Sequence, residues 1–268
     1  MLFGKHNSKK ALILKMGGAV FLTVFLGVSL WFGWIAAHPY PPLPEALDAL
    51  KSDEHVTVEQ KRVPLALFNS YYYVFKPKQM KPTTGFIFYP GGLVDPRSYA
   101  PPLHEIAAKG YLAILVSMPF DLAPFGPSRA NRILPLYSDI ERWAIGGHSV
   151  GGAYACKYAK DFTLKVKGVV IWASYPSKRF RLDDTDLKVV SIYATNNPNC
   201  NADEIDANKP FLPADTVYVE IKGGNHTQFG YYDTSPDPVQ PGDGIAEISR
   251  EKQQVQIIQA TLELLEKF

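Results

Sequence analysis

Residues 142–160 read RWAIGGHSVGGAYACKYAK, and this stretch decides the fold. Arg142–Gly146 is a short, largely apolar run that reads as a strand, and Gly151–Lys160 carries the Ala, Tyr and Lys of a helix. Between them stands Gly147-His148-Ser149-Val150-Gly151. A strand that passes directly into a helix through Gly-x-Ser-x-Gly turns so tightly that a side chain at either flanking position would strike neighbouring backbone. Such a turn lifts the Ser149 hydroxyl above the sheet. The helix that follows favours negative charge near its first N–H groups. Ser149 is therefore the candidate nucleophile, and the Val150 N–H is a candidate donor to an oxyanion.

A serine needs a base, and His226 is placed to be one. It ends Gly223-Gly224-Asn225-His226, just past the expected strand Thr216–Ile221, with only the C-terminal helix still to come. The other histidines fit less well. His6 and His38 flank an apolar N-terminal segment, His55 falls in an early strand and His104 in an early helix. His148 adjoins Ser149, but its ring is expected to point elsewhere. The second oxyanion donor is expected from the loop Tyr89-Pro90-Gly91-Gly92-Leu93-Val94, at Gly92, because glycine lets the backbone approach a developing alkoxide closely.

Working outward, β-rich runs alternate with helical ones. Strands are expected at His55–Gln60, Tyr71–Phe75, Gly85–Tyr89, Tyr111–Ser117, Arg142–Gly146, Val166–Ala173, Val189–Ala194 and Thr216–Ile221. Several are almost wholly apolar, the mark of strands buried on both faces of a parallel sheet. Helices are expected near Pro102–Lys109, Gly151–Lys160 and Asp203–Lys209. A last helix is capped by Ser249 and expected to bury a stripe of Val255, Ile258, Leu262 and Leu265. The alternation predicts a doubly wound α/β domain with a mostly parallel sheet. Some fourteen residues separate Ala173 from Lys188, too few for a large cap.

The segments FIFYPGGLVDPRSY, GYLAILVSMP, RWAIGGHSVGGAYA, GVVIWASYP, VVSIYATNN and VEIKGGNHTQFGYY resemble the α/β-hydrolase superfamily, closest to its small, nearly lidless, dienelactone-hydrolase-like branch. The resemblance spans about residues 55–268. It implies hydrolysis of a small-molecule ester or related acyl bond by a serine triad. The pattern breaks at the acid. Where such proteins place Asp in a Gly-Thr-x-Asp-Gly turn, this chain reads Ala194-Thr195-Asn196-Asn197-Pro198, with Asn197 at the acid position. Asp203 and Glu204 are the alternative acids, with Asp183 and Asp184 behind them. An acid-to-amide change in a serine triad costs about 10⁴ in rate. A binding or interaction domain that kept the fold and lost the acid is therefore the competing reading, and acyl transfer to another acceptor is a third.

Composition bounds the rest. Apolar residues at 46% and charged residues at 20% describe a globular chain. Lys5, Lys9, Lys10 and Lys15 precede the first acid, leaving a mildly acidic remainder that carries no nucleic-acid footprint. No His/Cys/Asp cluster has metal-ligand spacing and no Gly-rich phosphate loop occurs, so neither metal nor other cofactor is expected. Cys156 and Cys200 are expected to be unpaired. From Met16 to Ala37 no residue is charged, and a helix of that length reaches about 33 Å, enough for a bilayer core. With the lysines before it, the span is expected to be an uncleaved anchor with a cytoplasmic N-terminus. The expected organisation is a basic segment at 1–15, a transmembrane anchor at 16–37, a Pro-rich spacer at 38–52 and the catalytic domain at 53–268, outside the cytoplasm.

Overall fold

The structure, a computed structural model, describes residues 21–27, 33, 38–66 and 70–268. The chain divides into two units, Met1–Pro39 and Tyr40–Phe268. In the first, residues 21–27 are helical, with Phe21, Leu22, Val24, Phe25 and Leu26 exposed. The rest of the expected span, apart from Gly33, lies outside the described residues. Among the described residues no helix is long and apolar enough to cross a membrane.

The second unit is built on one eight-stranded sheet. Its strands are β1 (Val56–Arg62), β2 (Tyr71–Pro77), β3 (Thr84–Tyr89), β4 (Leu112–Val116), β5 (Arg142–His148), β6 (Gly168–Trp172), β7 (Lys188–Ala194) and β8 (Val217–Ile221). The order is β1-β2-β4-β3-β5-β6-β7-β8. β1 and β2 pair antiparallel, as do β2 and β4, and every later pair is parallel. All eight expected strands are present, with ends moved by a few residues. The apolar runs sit where double-sided burial needs them: every residue of β3, β4 and β6 is buried.

Two cores line the two faces. One packs α2 (Ala100–Ala108) and the C-terminal α6 (Arg250–Leu265) against Phe86, Phe88 and Trp172. The other packs α3 (Ala130–Ile133) and α4 (Val150–Asp161) against Ile87, Ile145 and Ile171. Cys156 and Cys200 are free thiols, both buried.

Two expectations are corrected. The Pro-rich segment is no free spacer from Tyr40 onward. The Tyr40 N–H donates to Leu93 O at 2.8 Å and the Leu43 N–H to Tyr231 O at 2.8 Å, while Pro41 O accepts from the Asp233 N–H. α1 (Pro44–Asp48) follows and buries Ala46 completely. Proline removes donors but leaves carbonyls, so an extended Pro-rich strand still pairs through the residues between its prolines. The domain thus begins at Tyr40 rather than at residue 53.

The stripe on α6 is also displaced. Ser249 caps the helix as expected, accepting from the Lys252 N–H. Leu262 and Leu265 of the expected stripe are buried and Ile258 packs against the core, but Val255 is 66% exposed, and the buried face also takes in Gln253, Gln254, Ile257, Ala260, Thr261 and Leu264. Apolar spacing alone passed over two glutamines that are buried because they hold a loop in place.

Candidate active site

The turn after β5 has the geometry that its glycines imply. Ser149 sits at φ 53°, ψ −126°, a left-handed conformation that costs a non-glycine residue on the order of 1–3 kcal/mol. Its N–H donates to Trp172 O at 2.9 Å. Its hydroxyl makes no hydrogen bond among the described residues. The glycine requirement at 151 is steric: a Cβ there would lie 2.2 Å from Pro90 O and 2.3 Å from Tyr89 O. Because both obstacles are backbone, Gly151→Ala is expected to cost about 2–3 kcal/mol or more, visible as a lowered urea midpoint with an unchanged slope. A midpoint equal to that of the parent protein would contradict this packing.

The Gly91-Gly92 loop leaves one amide free. The Gly91 N–H donates to the Tyr99 hydroxyl at 3.1 Å and the Leu93 N–H to Asp121 O at 2.9 Å. The Gly92 N–H between them has no acceptor among the described residues, and neither has the N–H of Val150 at the start of α4. The two residues are neighbours, since a Cβ on Gly92 would meet Val150 Cγ1 at 2.9 Å.

His226 follows β8 at the head of a short 3₁₀ turn, Thr227–Phe229. Its loop is held from α6. Gln253 Oε1 accepts from the Asn225 N–H and Gln253 Nε2 donates to Asn225 O, while Gln254 Nε2 donates to Gln228 O. Burial lowers the His226 pKa, and the Asp243 carboxylate pushes it back up.

Of the acid candidates, the fold brings only Asn197 to His226. Asn197 Nδ2 lies 3.0 Å from His226 Nδ1, and Asn197 Oδ1 accepts from the Asn199 N–H at 3.2 Å. The second bond orients the amide, because turning it over would set Nδ2 against another N–H. In that orientation the Asn197 amide presents its N–H to His226 Nδ1, an arrangement that suits the tautomer with its proton on Nε2. Asp203 and Glu204 are exposed in the first turn of α5 (Ala202–Asn208). Asp183 is paired with Arg181, and Asp184 with Lys160.

His148 departs from expectation in part. Its ring is buried and lies against His226, with centroids 4.4 Å apart, and it stacks on Phe229. The Tyr99 hydroxyl meets its Nδ1 at 2.8 Å. Burial, and then the neighbouring His226, hold its pKa well below the ordinary value, so it is a neutral floor under the site.

The model of the alpha/beta hydrolase family matches residues 85–255, which include the elbow, the glycine loop and the His226 loop. The chain belongs to the alpha/beta hydrolase family. The strand order and the parallel sheet agree with this hydrolase fold, and at the family level the chain is a hydrolase. Among solved structures, the hydrolase domain is similar to a mutant of the esterase rPPE. The likeness has a TM-score of 0.54 and 13% identity over 83% of this chain and 86% of that one. No functionally curated protein matches.

Asp243, whose carboxylate accepts from the His226 N–H at 3.0 Å, carries no motif in the sequence. It stands in a Pro/Gly-rich segment that reads as an ordinary surface loop, and nothing local announces that the loop folds back under His226. The same holds for Tyr99. Its hydroxyl ties the glycine loop to His148 from a helix entry with no motif of its own.

Proposed function

We propose that this hydrolase cleaves a carboxylic ester or related acyl bond with Ser149 as nucleophile and His226 as base. What supports the reading most is a pair of unpaired amides on two neighbouring residues, Gly92 and Val150. Both lack an internal acceptor beside a serine held at positive φ. Free donors at that place are what a tetrahedral intermediate's oxygen requires. In the reaction Ser149 Oγ attacks the acyl carbon, its proton passes to His226 Nε2, and the carbonyl oxygen takes the negative charge. His226 then protonates the leaving group, and water repeats the sequence to release the acid.

This chemistry needs the Nε2 lone pair, hence a proton on Nδ1. Asn197 can accept that proton's hydrogen bond only by turning Oδ1 toward His226 and leaving the Asn199 N–H unsatisfied. That orientation favours a second reading, a binding domain that retains the fold without turnover. A fluorophosphonate probe separates the two. Labelling at Ser149, together with hydrolysis of p-nitrophenyl esters, is expected for the enzyme, whereas a protein that stays unlabelled under conditions that label a control serine hydrolase is the binding domain.

The proposal includes an anchor. The uncharged stretch Met16–Ala37, with four lysines before it and no Lys or Arg after it until Lys51, supports a single span with the domain outside the cytoplasm. A reporter fused after Phe268 and active only outside the cytoplasm is the expected result. Activity confined to the cytoplasm would refute the orientation.

A further inference from the structure

Behind His226 lies a carboxylate that the triad leaves unused. Asp243 accepts from the His226 N–H at 3.0 Å, the Thr227 N–H at 2.7 Å, the Thr227 hydroxyl at 2.7 Å and the Gly244 N–H at 2.9 Å. Both of its oxygens are tied to the residue that carries the imidazole and to the one after it. All four donors are neutral, so its charge is solvated by dipoles rather than cancelled by a cation.

We propose that Asp243 is a positioning residue that performs part of the missing acid's role, fixing the backbone of His226 and holding negative charge near the imidazolium formed as Ser149 attacks. The inference rests on the reading of Ser149 and His226 as nucleophile and base. The other groups around His226 cannot supply that charge. His148, from the end of β5, is neutral, and Asn197, from the β7 loop, is an amide. Phe229 and Thr227 carry none. Beyond Asp243 lie Tyr232, whose pKa is raised chiefly by burial, and Arg250, which donates to Gly230 O. An anion near a histidine favours its protonated form, and the pKa of His226 carries that upward push from Asp243 against the larger lowering by burial.

The test is the pH profile of kcat/KM on a p-nitrophenyl ester. Asp243→Asn should lower the plateau about tenfold or more and move the acid limb to lower pH. The sign follows from the charge: without the carboxylate, imidazolium is less stable, so His226 stays neutral further down the pH scale. Thr227→Val removes one bond to the carboxylate but keeps its charge, so its limb should stay in place. A merely structural anchor would leave the acid limb where it is.

Asp243→Glu is the second variant if Asp243→Asn does not fold. It carries the charge one methylene away and should shift the limb in the same direction by less. An unmoved acid limb in the folded variant overturns the inference. The reading beneath it fails separately, through turnover in Ser149→Ala equal to that of the parent protein.

Discussion

Ser149→Ala is expected to leave the fold unchanged and to remove hydrolysis and fluorophosphonate labelling together. The hydroxyl is no partner in the fold, and only the Ser149 N–H is tied down, to Trp172 O. Alanine keeps both that bond and the Cβ, so the backbone strain at φ 53° is neither relieved nor increased. The urea midpoint should stay within about 0.5 kcal/mol of the parent's stability. The size of the rate loss carries further information. Members of a complete triad act as a unit, and removing its serine costs about 10⁶ in kcat, whereas removing the acid alone costs about 10⁴. If the amide at 197 has already forfeited the acid's share, Ser149→Ala has only about 10² left to lose. Turnover equal to that of the parent protein would exclude Ser149 as nucleophile.

The second large effect is a gain. Asn197→Asp is expected to raise kcat by at least about tenfold, out of roughly 10⁴ at stake. In place of the amide, one carboxylate oxygen would accept from the Asn199 N–H and the other from His226 Nδ1–H, so both bonds form at once and the imidazole takes the tautomer that catalysis needs. The carboxylate would sit at a fully buried position. Its desolvation is offset by these charge-assisted bonds and by the imidazolium in the transition state. A carboxylate beside the ring raises its pKa, so the acid limb should move to higher pH, opposite to the shift expected on removing Asp243. Natural conversion of this amide is chemically disfavoured. Asparagine becomes aspartate when the next residue's amide nitrogen attacks the side chain, and Pro198 has no N–H to do so. A kcat at or below the parent's, combined with a steep loss in Asp203→Asn or Glu204→Gln, would move the third triad member to α5.

How much could be read without the fold depends on how local the cause is. The double-sided burial of β3, β4 and β6 is written as unbroken apolar runs, and the elbow as glycines whose missing Cβ atoms make room for backbone. Both leave a local mark in a few consecutive residues, so the strand positions, the parallel sheet and the candidates Ser149, Gly92 and His226 are legible in the sequence, although the backbone that Gly151 makes room for, at Tyr89 and Pro90, is distant in the chain. The stripe on α6 is legible at Leu262 and Leu265 but not in the first turn, because periodicity counts apolar residues, while Gln253 and Gln254 are buried by hydrogen bonds to a loop more than twenty residues away. The Pro-rich segment failed because its pairing partners, Leu93 and Tyr231, are remote in sequence. For Asn197 the sequence marked the position and the absent charge. Only the tertiary structure decided that Asn199 turns the amide's donor toward His226, and that Asp243 brings a carboxylate to the histidine's own backbone, because hydrogen-bond direction depends on atoms that meet only when distant loops close.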